Sequence, residues 1–183
     1  MIQPRILAKP RRIRFPLSNV NKRAILQKII ASIDAELELY AQSARAAHAD
    51  ATHEQSKAEN KYDTRGLEAS YLARGQSLQI VETEMARTLF DSLELREFGP
   101  QTPIHMGALI ELETEQGTEP PERSLYFIGP KAGGTEIVHA RRSILVLTPE
   151  SPLGREVMGK RQGDRFQISM GGRARDYRLV SVW

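Results

Sequence analysis

The chain is most constrained by a long segment without proline, residues 19–97, in which apolar side chains recur at helical spacing. In its first half the steps alternate between three and four residues, as in a coiled-coil seam, through Leu26, Ile30, Ile33, Leu37, Tyr40, Ala44, Ala47 and Ala51. The second half has a similar seam, made of Leu67, Tyr71, Leu78, Val81, Met85, Leu89 and Leu93. One straight helix of this length would extend roughly 100 Å or more, and its seam would need a partner chain.

A fold-back within the segment removes the need for a partner chain. Residues 53–66 are almost free of large aliphatic side chains. Asn60 tolerates a left-handed turn conformation, and Asp63 or Thr64 can cap a new helix by accepting hydrogen bonds from its first amides. The second half of the segment therefore returns along the first.

The resulting element is an antiparallel coiled-coil hairpin over residues 19–97, with its tip near 54–65. Asn19 or Asn21 can cap the first helix. Each arm would be on the order of 45–60 Å long, and the alanines near the tip let the two helices approach closely there.

Beyond the plausible linker at residues 98–100 the apolar period changes from that of a helix to that of a strand. Six strands are predicted, over residues 108–114, 124–128, 136–139, 144–147, 165–168 and 177–182. A short helix is predicted from Ser151, its cap, to Met158, with Pro152 at its first position and Gly159 after its end. Residues 104–183 therefore form a small α+β domain, with an antiparallel sheet and a hairpin turn at 171–172.

Composition narrows the environment of the protein. There is no cysteine, which excludes disulfides and thiolate metal sites, and no apolar run approaches the roughly 20 residues of a membrane span. The N-terminus lacks a signal-peptide pattern, so we expect a cytoplasmic protein without a membrane partner. Residues 1–18 form a basic extension with five cations and no acid: Arg5, Lys9, Arg11, Arg12 and Arg14. We interpret this extension as a solvated tail, with nucleic acid or an acidic protein face as the alternative contact.

Signatures of common enzymes are missing. The sequence contains neither a phosphate-binding glycine loop nor a nucleophile elbow. His48 and His53 are five residues apart, which does not place them on one helix face as metal ligands, and His105 and His139 are isolated. The arginine-rich C-terminal region lacks the interleaved aromatic residues of a nucleic-acid platform, so we interpret it as an ordinary basic surface or a protein contact.

Carboxylates are concentrated at the predicted tip, where Glu54, Glu59 and Asp63 lie within ten residues. On composition alone, a solvated turn explains them. Held at the end of a stiff arm, however, carboxylates can be delivered into a deep channel. There their oxygens would complete the coordination of a Mg²⁺ that a partner already binds, and this metal can activate a water against a phosphodiester.

A family resemblance enters at the C-terminal region. The sequence S-P-L-G-R begins at Ser151 and is followed by G-K at residues 159–160, G-D at 163–164, G-G at 171–172 and a last strand Y-R-L-V from Tyr177. In order and spacing it resembles the C-terminal pattern of the Gre transcription elongation factors, GreA and GreB. Residues 57–62, K-A-E-N-K-Y, are similar to the family's tip motif K-E-N-x-E-Y in an altered register. Only the basic extension lies outside the resemblance.

The resemblance implies an FKBP-like C-terminal domain that docks on the rim of the secondary channel of RNA polymerase, through Ser151, Pro152, Leu153 and Gly154. The hairpin would then reach the polymerase active site. There Glu59, with Glu54 or Asp63, would stimulate cleavage of backtracked RNA at its 3′ end. The chain itself would not be an enzyme and would take no small-molecule substrate. Its cofactor would be the Mg²⁺ of the polymerase, with Glu59 and Asp63 as shared metal ligands.

The tip departs from the family pattern at Ser56, where alignment on Glu59 and Asn60 places the family's aspartate. The alternative function is therefore a non-cleaving regulator that binds RNA polymerase and modulates or blocks the channel. A prolyl isomerase is disfavoured because the aromatic residues alternate with polar ones as ordinary strand residues do; these are Tyr126, Phe127, Phe166, Tyr177 and Trp183.

Overall fold

The computed structural model describes residues 21–52, 65–115, 121–170 and 172–183. Two long helices precede a sheet and one short helix, which confirms the α+β class. The elements are α1 (Lys22–Thr52), α2 (Arg65–Asp91), β1 (Leu109–Thr114), β2 (Arg123–Ile128), β3 (Glu136–His139), β4 (Arg142–Leu147), α3 (Pro152–Val157), β5 (Arg165–Met170) and β6 (Arg173–Val182). None of the described helices is both long and apolar enough to span a membrane.

Helices α1 and α2 lie antiparallel. Asn21 caps α1, as predicted, because its side-chain oxygen accepts from the amide of Ala24 at 3.0 Å. Farther along, the Nε of Arg87 on α2 lies 3.2 Å from a carboxylate oxygen of Asp34 on α1. At the start of α1, Lys22 donates to the carbonyl of Arg96, beyond the end of α2.

The second helix ends earlier than predicted, at Asp91 rather than near residue 97. The amide of Leu93 bonds the carbonyl of Phe90 at 3.2 Å, a tighter turn than an α-helix makes. Leu93 and Leu95 then pack against the buried cluster between the helices and the sheet. The residues after the helix thus still contribute to the core.

The predicted seam of α2 is wrong for its members from Tyr71 to Leu89, although Leu93, beyond the end of the helix, does pack against the core. Its buried face consists of Thr83, Ala86 and Phe90, whereas the predicted seam is exposed: Tyr71 by 69%, Leu78 by 61%, Val81 by 54%, Met85 by 52% and Leu89 by 38%. The physical reason is the fit of Phe90 against Gly129, where an added β-carbon would lie 2.6 Å from the ring. With Phe90 facing the sheet, Ala86 and Thr83, four and seven residues earlier, face the same way.

The predicted seam of α1 is only partly right. Leu26 and Ile33 are buried as expected, but Ile25 and Ile29 are buried as well and were not in the seam. Ala44 is exposed, so it does not contribute a close contact between the helices. The buried face of α1 is therefore the one that meets both α2 and the sheet.

The sheet is mixed, which corrects the prediction of an antiparallel one. Its strand order is β3-β4-β2-β1-β6-β5, and β2 pairs with β4 in parallel, with Leu125 opposite Ile144. The other four pairs are antiparallel. Strand β3 occupies the edge and returns through a two-residue turn at Ala140 and Arg141, both with positive φ. That turn places β4 beside β2 and in the same direction.

Each face of the sheet has its own hydrophobic cluster. One cluster joins the lower parts of α1 and α2 to one face and contains Ile25, Leu26, Ile29, Ile33, Ala86, Phe90, Leu109, Leu125, Phe127, Ile137, Ile144 and Val146. The other lies under α3 and contains Ile104, Ala108, Ile110, Leu112, Ile128, Leu147, Val157, Leu179 and Val182. The helices and the sheet thus share a core. The proposed boundaries of the extension, hairpin and FKBP-like domain stay predictions.

Candidate functional site

The three tip carboxylates predicted from sequence, Glu54, Glu59 and Asp63, lie outside the described residues, as does Ser56. The structure describes the two helices on either side of them in sequence. Helix α1 ends at Thr52 and α2 begins at Arg65, so these residues all lie in the segment that connects two antiparallel helices. Their roles as catalytic groups and metal ligands stay predictions.

The candidate docking residues lie at the start of α3. Ser151 caps this helix: its hydroxyl accepts from the amide of Gly154 at 3.0 Å and donates to the carbonyl of Thr148 at 2.7 Å. Pro152 occupies the first helical turn, where its missing N–H leaves no hydrogen bond unmade. The S-P-x-G pattern therefore starts and caps α3, and the predicted cap is confirmed.

The start of α3 also requires a glycine at residue 154. An added β-carbon there would lie 1.9 Å from the carbonyl oxygen of Thr148 and 2.8 Å from the hydroxyl of Ser151. The glycine lets α3 turn tightly against the strand end that precedes it. Gly159, with a φ of +77°, follows the helix in the left-handed conformation that ends helices most easily.

Around α3 the structure presents a mixed surface. Pro152 is exposed, and Leu153 is half-buried at the edge of the second hydrophobic cluster. The loop before β1 is joined to the end of α3 by two backbone hydrogen bonds, from Ile104 to the carbonyl of Lys160 and from Gly159 to the carbonyl of Ile104. These hydrogen bonds fix the end of α3 against the loop before β1.

The aromatic side chains do not converge on one site. Phe127 is fully buried in the cluster under the long helices, and Trp183 packs against that cluster. Tyr126, Phe166 and Tyr177 pack against the other cluster, with the rings of Phe166 and Tyr177 stacked at 5.6 Å. The five aromatic residues are therefore divided between the two faces of the sheet.

A ladder of carboxylates and arginines crosses the sheet and was missed at the sequence level. Glu111 and Glu113 of β1 are buried. Glu113 accepts from Arg123 at 2.7 Å and from Arg178 at 2.6 Å, and Glu111 accepts from Arg142 at 2.6 Å. The alternation of Glu111, Glu113 and Glu115 with apolar residues placed the three glutamates on one face of the strand. Their arginine partners could not be identified from the sequence, because they are 10 to 65 residues distant.

The ladder changes the interpretation of the arginine-rich region. Arg142 pairs with Glu111, Arg165 with Glu115 and Arg178 with Glu113, so these three arginines have structural partners within the sheet. Burial alone would raise the pKa of Glu113, but its hydrogen bonds with Arg178 and Arg123 outweigh this and hold the pKa below its usual value. The hydrogen bond with Glu113 in turn raises the pKa of Arg178. Within the described part of the chain, no group of three or more histidine or acidic side chains is placed to hold a metal.

Neither a protein-family model nor a curated protein sequence matches the chain. Solved structures do match. Gfh1 of Thermus aquaticus is 19% identical, with 88% of this chain and 93% of that chain covered and a TM-score of 0.36. GreA factor homolog 1 of Thermus thermophilus is 19% identical, with coverages of 84% and 94% and a TM-score of 0.35. The elongation factor GreA/GreB of Nitrosomonas europaea is 18% identical, with coverages of 58% and 89% and a TM-score of 0.33. Similarity at this level carries no argument about function.

Proposed function

We propose that this chain binds bacterial RNA polymerase at its secondary channel and stimulates cleavage of backtracked transcripts. The observation that carries the proposal is the ordered motif series from Ser151 to the last strand, which resembles the C-terminal pattern of Gre factors. Its first part forms a capped helix in which Ser151 and Gly154 have defined structural roles. The docking surface is formed by Ser151, Pro152, Leu153 and Gly154.

The long helices support the reach that this function needs. The residues of these helices that belong to the shared hydrophobic cluster lie between Ile25 and Leu37 on α1 and between Ala86 and Phe90 on α2. From Leu37 to Thr52, α1 continues for a further ~22 Å. A narrow element that extends beyond its supporting core is the shape that enters a channel.

Within the polymerase, Glu59 acts together with Glu54 or Asp63. Carboxylate oxygens are the ligands that Mg²⁺ prefers, and this metal usually takes only one or two of them from a protein. Glu59 and Asp63 would share the Mg²⁺ of the polymerase, which supplies activation of the water that attacks the RNA. The chain is thus a factor that assists an enzyme, acts in the cytoplasm and contacts the RNA 3′ end only indirectly.

The second candidate is a regulator that occupies the channel without stimulating cleavage. Ser56 supports it, because this residue stands where the family pattern has an aspartate. Both candidates need the docking surface, but only the first needs the tip carboxylates.

A backtracked elongation complex separates the two candidates. RNA cleavage is measured with the wild-type protein, with Glu59→Ala and with Glu122→Ala, which removes an exposed carboxylate on the sheet. Cleavage that is lost only with Glu59→Ala supports the cleavage factor. If none of the proteins stimulates cleavage while all co-purify with polymerase, the channel-occupying regulator is correct. Failure to bind polymerase contradicts both.

A further inference from the structure

Within the described residues, an apolar stripe of α2 is left exposed. Tyr71, Leu78, Val81, Met85 and Leu89 are each between 38% and 69% exposed, on the side of the helix away from Thr83, Ala86 and Phe90. A surface helix normally has one apolar stripe, and this helix has two. Contiguous exposed apolar surface of this kind usually marks an interaction site.

From Leu78 to Met85 the borders of the stripe are acidic, whereas Arg74 lies on the same face between Tyr71 and Leu78. Glu82 and Glu84 adjoin Val81 and Met85 in sequence, and both are exposed. Neither carboxylate forms an ion pair with another residue in the part of the chain that is described. The stripe therefore suits a partner that combines apolar side chains with positive charge.

Residues 1–20 of the same chain have this composition. They contain five cations and no acid, and their apolar side chains include Ile2, Ile6, Leu7, Ile13, Phe15 and Leu17. They directly precede Asn21 in sequence, and Asn21 lies at the start of α1. There Asn21 caps the helix, and Lys22 lies over the ring of Phe98 at 4.6 Å, just beyond the end of α2.

The distances permit the contact. The ion pair between Arg87 and Asp34 places Leu89 about level with Ser32, which is ~16 Å along α1 from Asn21. From Leu89 to Tyr71 the stripe runs a further ~27 Å. Twenty residues in extended form reach up to ~66 Å, which exceeds the sum of the two distances.

We propose that residues 1–20 pack along the exposed stripe of α2, with their apolar side chains on Leu78, Val81 and Met85 and their cations beside Glu82 and Glu84. A tethered segment binds at an effective concentration of about a millimolar, so a narrow contact suffices. A second copy of the chain fits less well. It would bring Glu82 and Glu84 near their own counterparts, and a stable dimer interface typically uses about 20–30 residues on each side.

The absence of cysteine makes a direct distance measurement simple. Spin labels are attached to the full chain at Ala8→Cys and Ser77→Cys, and the distance distribution is recorded. We expect a narrow distribution centred below ~25 Å, whereas an undocked segment would sample distances over most of its ~66 Å reach. Val81→Asp with Met85→Asp should abolish the narrow component. The matched control, Ala31→Asp with Ala35→Asp on exposed sites of α1, should leave it unchanged.

Three results would overturn the proposal. A broad distribution in the otherwise unsubstituted chain means that the segment does not dock. A narrow component that disappears on dilution with unlabelled protein assigns the stripe to a second copy. Circular dichroism shows whether the aspartate variant keeps its helices. If it does not, Glu82→Lys with Glu84→Lys replaces it, and an unchanged distribution in that charge variant contradicts the proposed pairing.

Discussion

The carbonyl oxygen of Thr148 lies 1.9 Å from the position that a β-carbon on Gly154 would occupy. The same oxygen accepts a hydrogen bond from the hydroxyl of Ser151 at 2.7 Å. The missing β-carbon leaves room for the start of α3 to approach the end of β4, and the Ser151 hydrogen bond joins the two. Because both features involve the motif residues themselves, the candidate docking surface can be tested through its geometry.

Gly154→Ala should destabilise the protein by about 2–4 kcal/mol, because the backbone of residue 148 has to move to admit the methyl group. Urea unfolding measures the change. Gly75→Ala is the matched control, since nothing lies within 4 Å of its added β-carbon. In the interior of α2 that change should stabilise by about 0.5–1 kcal/mol. Equal effects of the two substitutions would contradict the steric explanation.

Phe90 and Gly129 should show strong energetic coupling. Gly129→Ala places a β-carbon 2.6 Å from the Phe90 ring and 2.9 Å from Val146, so we expect a loss of about 1–3 kcal/mol. In the Phe90→Leu background the same change should cost at least about 0.5 kcal/mol less, because the ring is gone. A double-mutant cycle by urea unfolding measures this difference. Additive costs would mean that Phe90 is not the group that excludes the methyl.

Glu113 should make stability depend on pH on the acid side. Its folded-state pKa is lowered, so its contribution is present above the unfolded value of about 4.3 and is lost as the pH falls through the folded value. Glu113→Gln should cost about 1.5–3 kcal/mol at pH 7 and should flatten this acid-side loss. Unfolding measured from pH 7 downwards tests both effects. Glu122→Gln, on an exposed side chain, should change neither.

Ser56→Asp should increase transcript cleavage if the chain acts on polymerase. The substitution restores the aspartate of the family pattern three residues before Glu59. We expect a gain of about tenfold or more if a carboxylate at this position assists the metal-activated water. Cleavage is measured in the same backtracked complex, with Ser56→Asn as the uncharged control. Equal rates for the two variants would show that charge at residue 56 is unimportant.

Local signals predicted local structure well. Strand β3 was predicted with its observed bounds, because alternation and the flanking glycines and turn define it. The cap at Ser151 was also visible, since a capping residue and its proline are neighbours in sequence. These features depend on interactions between residues only a few positions apart.

The face of α2 that packs inward could not be predicted in this way. Only the heptad stripe was identified from the sequence, whereas the face with Thr83, Ala86 and Phe90 is the one that is buried. The choice between them depends on the space above Gly129, which follows β2 and is distant from α2 in sequence. The parallel pairing of β2 and β4 and the partners of Glu113 were missed for the same reason, because both depend on contacts distant in sequence.

The candidate site likewise has one part that the structure describes and one part that stays a prediction. The geometry at Ser151 and Gly154 follows from the sequence motif and is now given physical causes. The tip carboxylates remain predictions, and they depend on the resemblance to the Gre family. Their test is a cleavage measurement on the polymerase complex.

The hydrophobic cluster shared by the long helices and the sheet fixes the orientation of α1, because it holds this helix near one end only. Helix α1 has 31 residues and is about 46 Å long, so a tilt of about 5° at its lower end displaces its far end by about 4 Å. Substitutions near Ile29 or Phe90 can therefore misdirect residues that they never contact. A small change in packing at the sheet therefore becomes a larger displacement at the far end of α1. The position of that end depends on how well the shared cluster is packed.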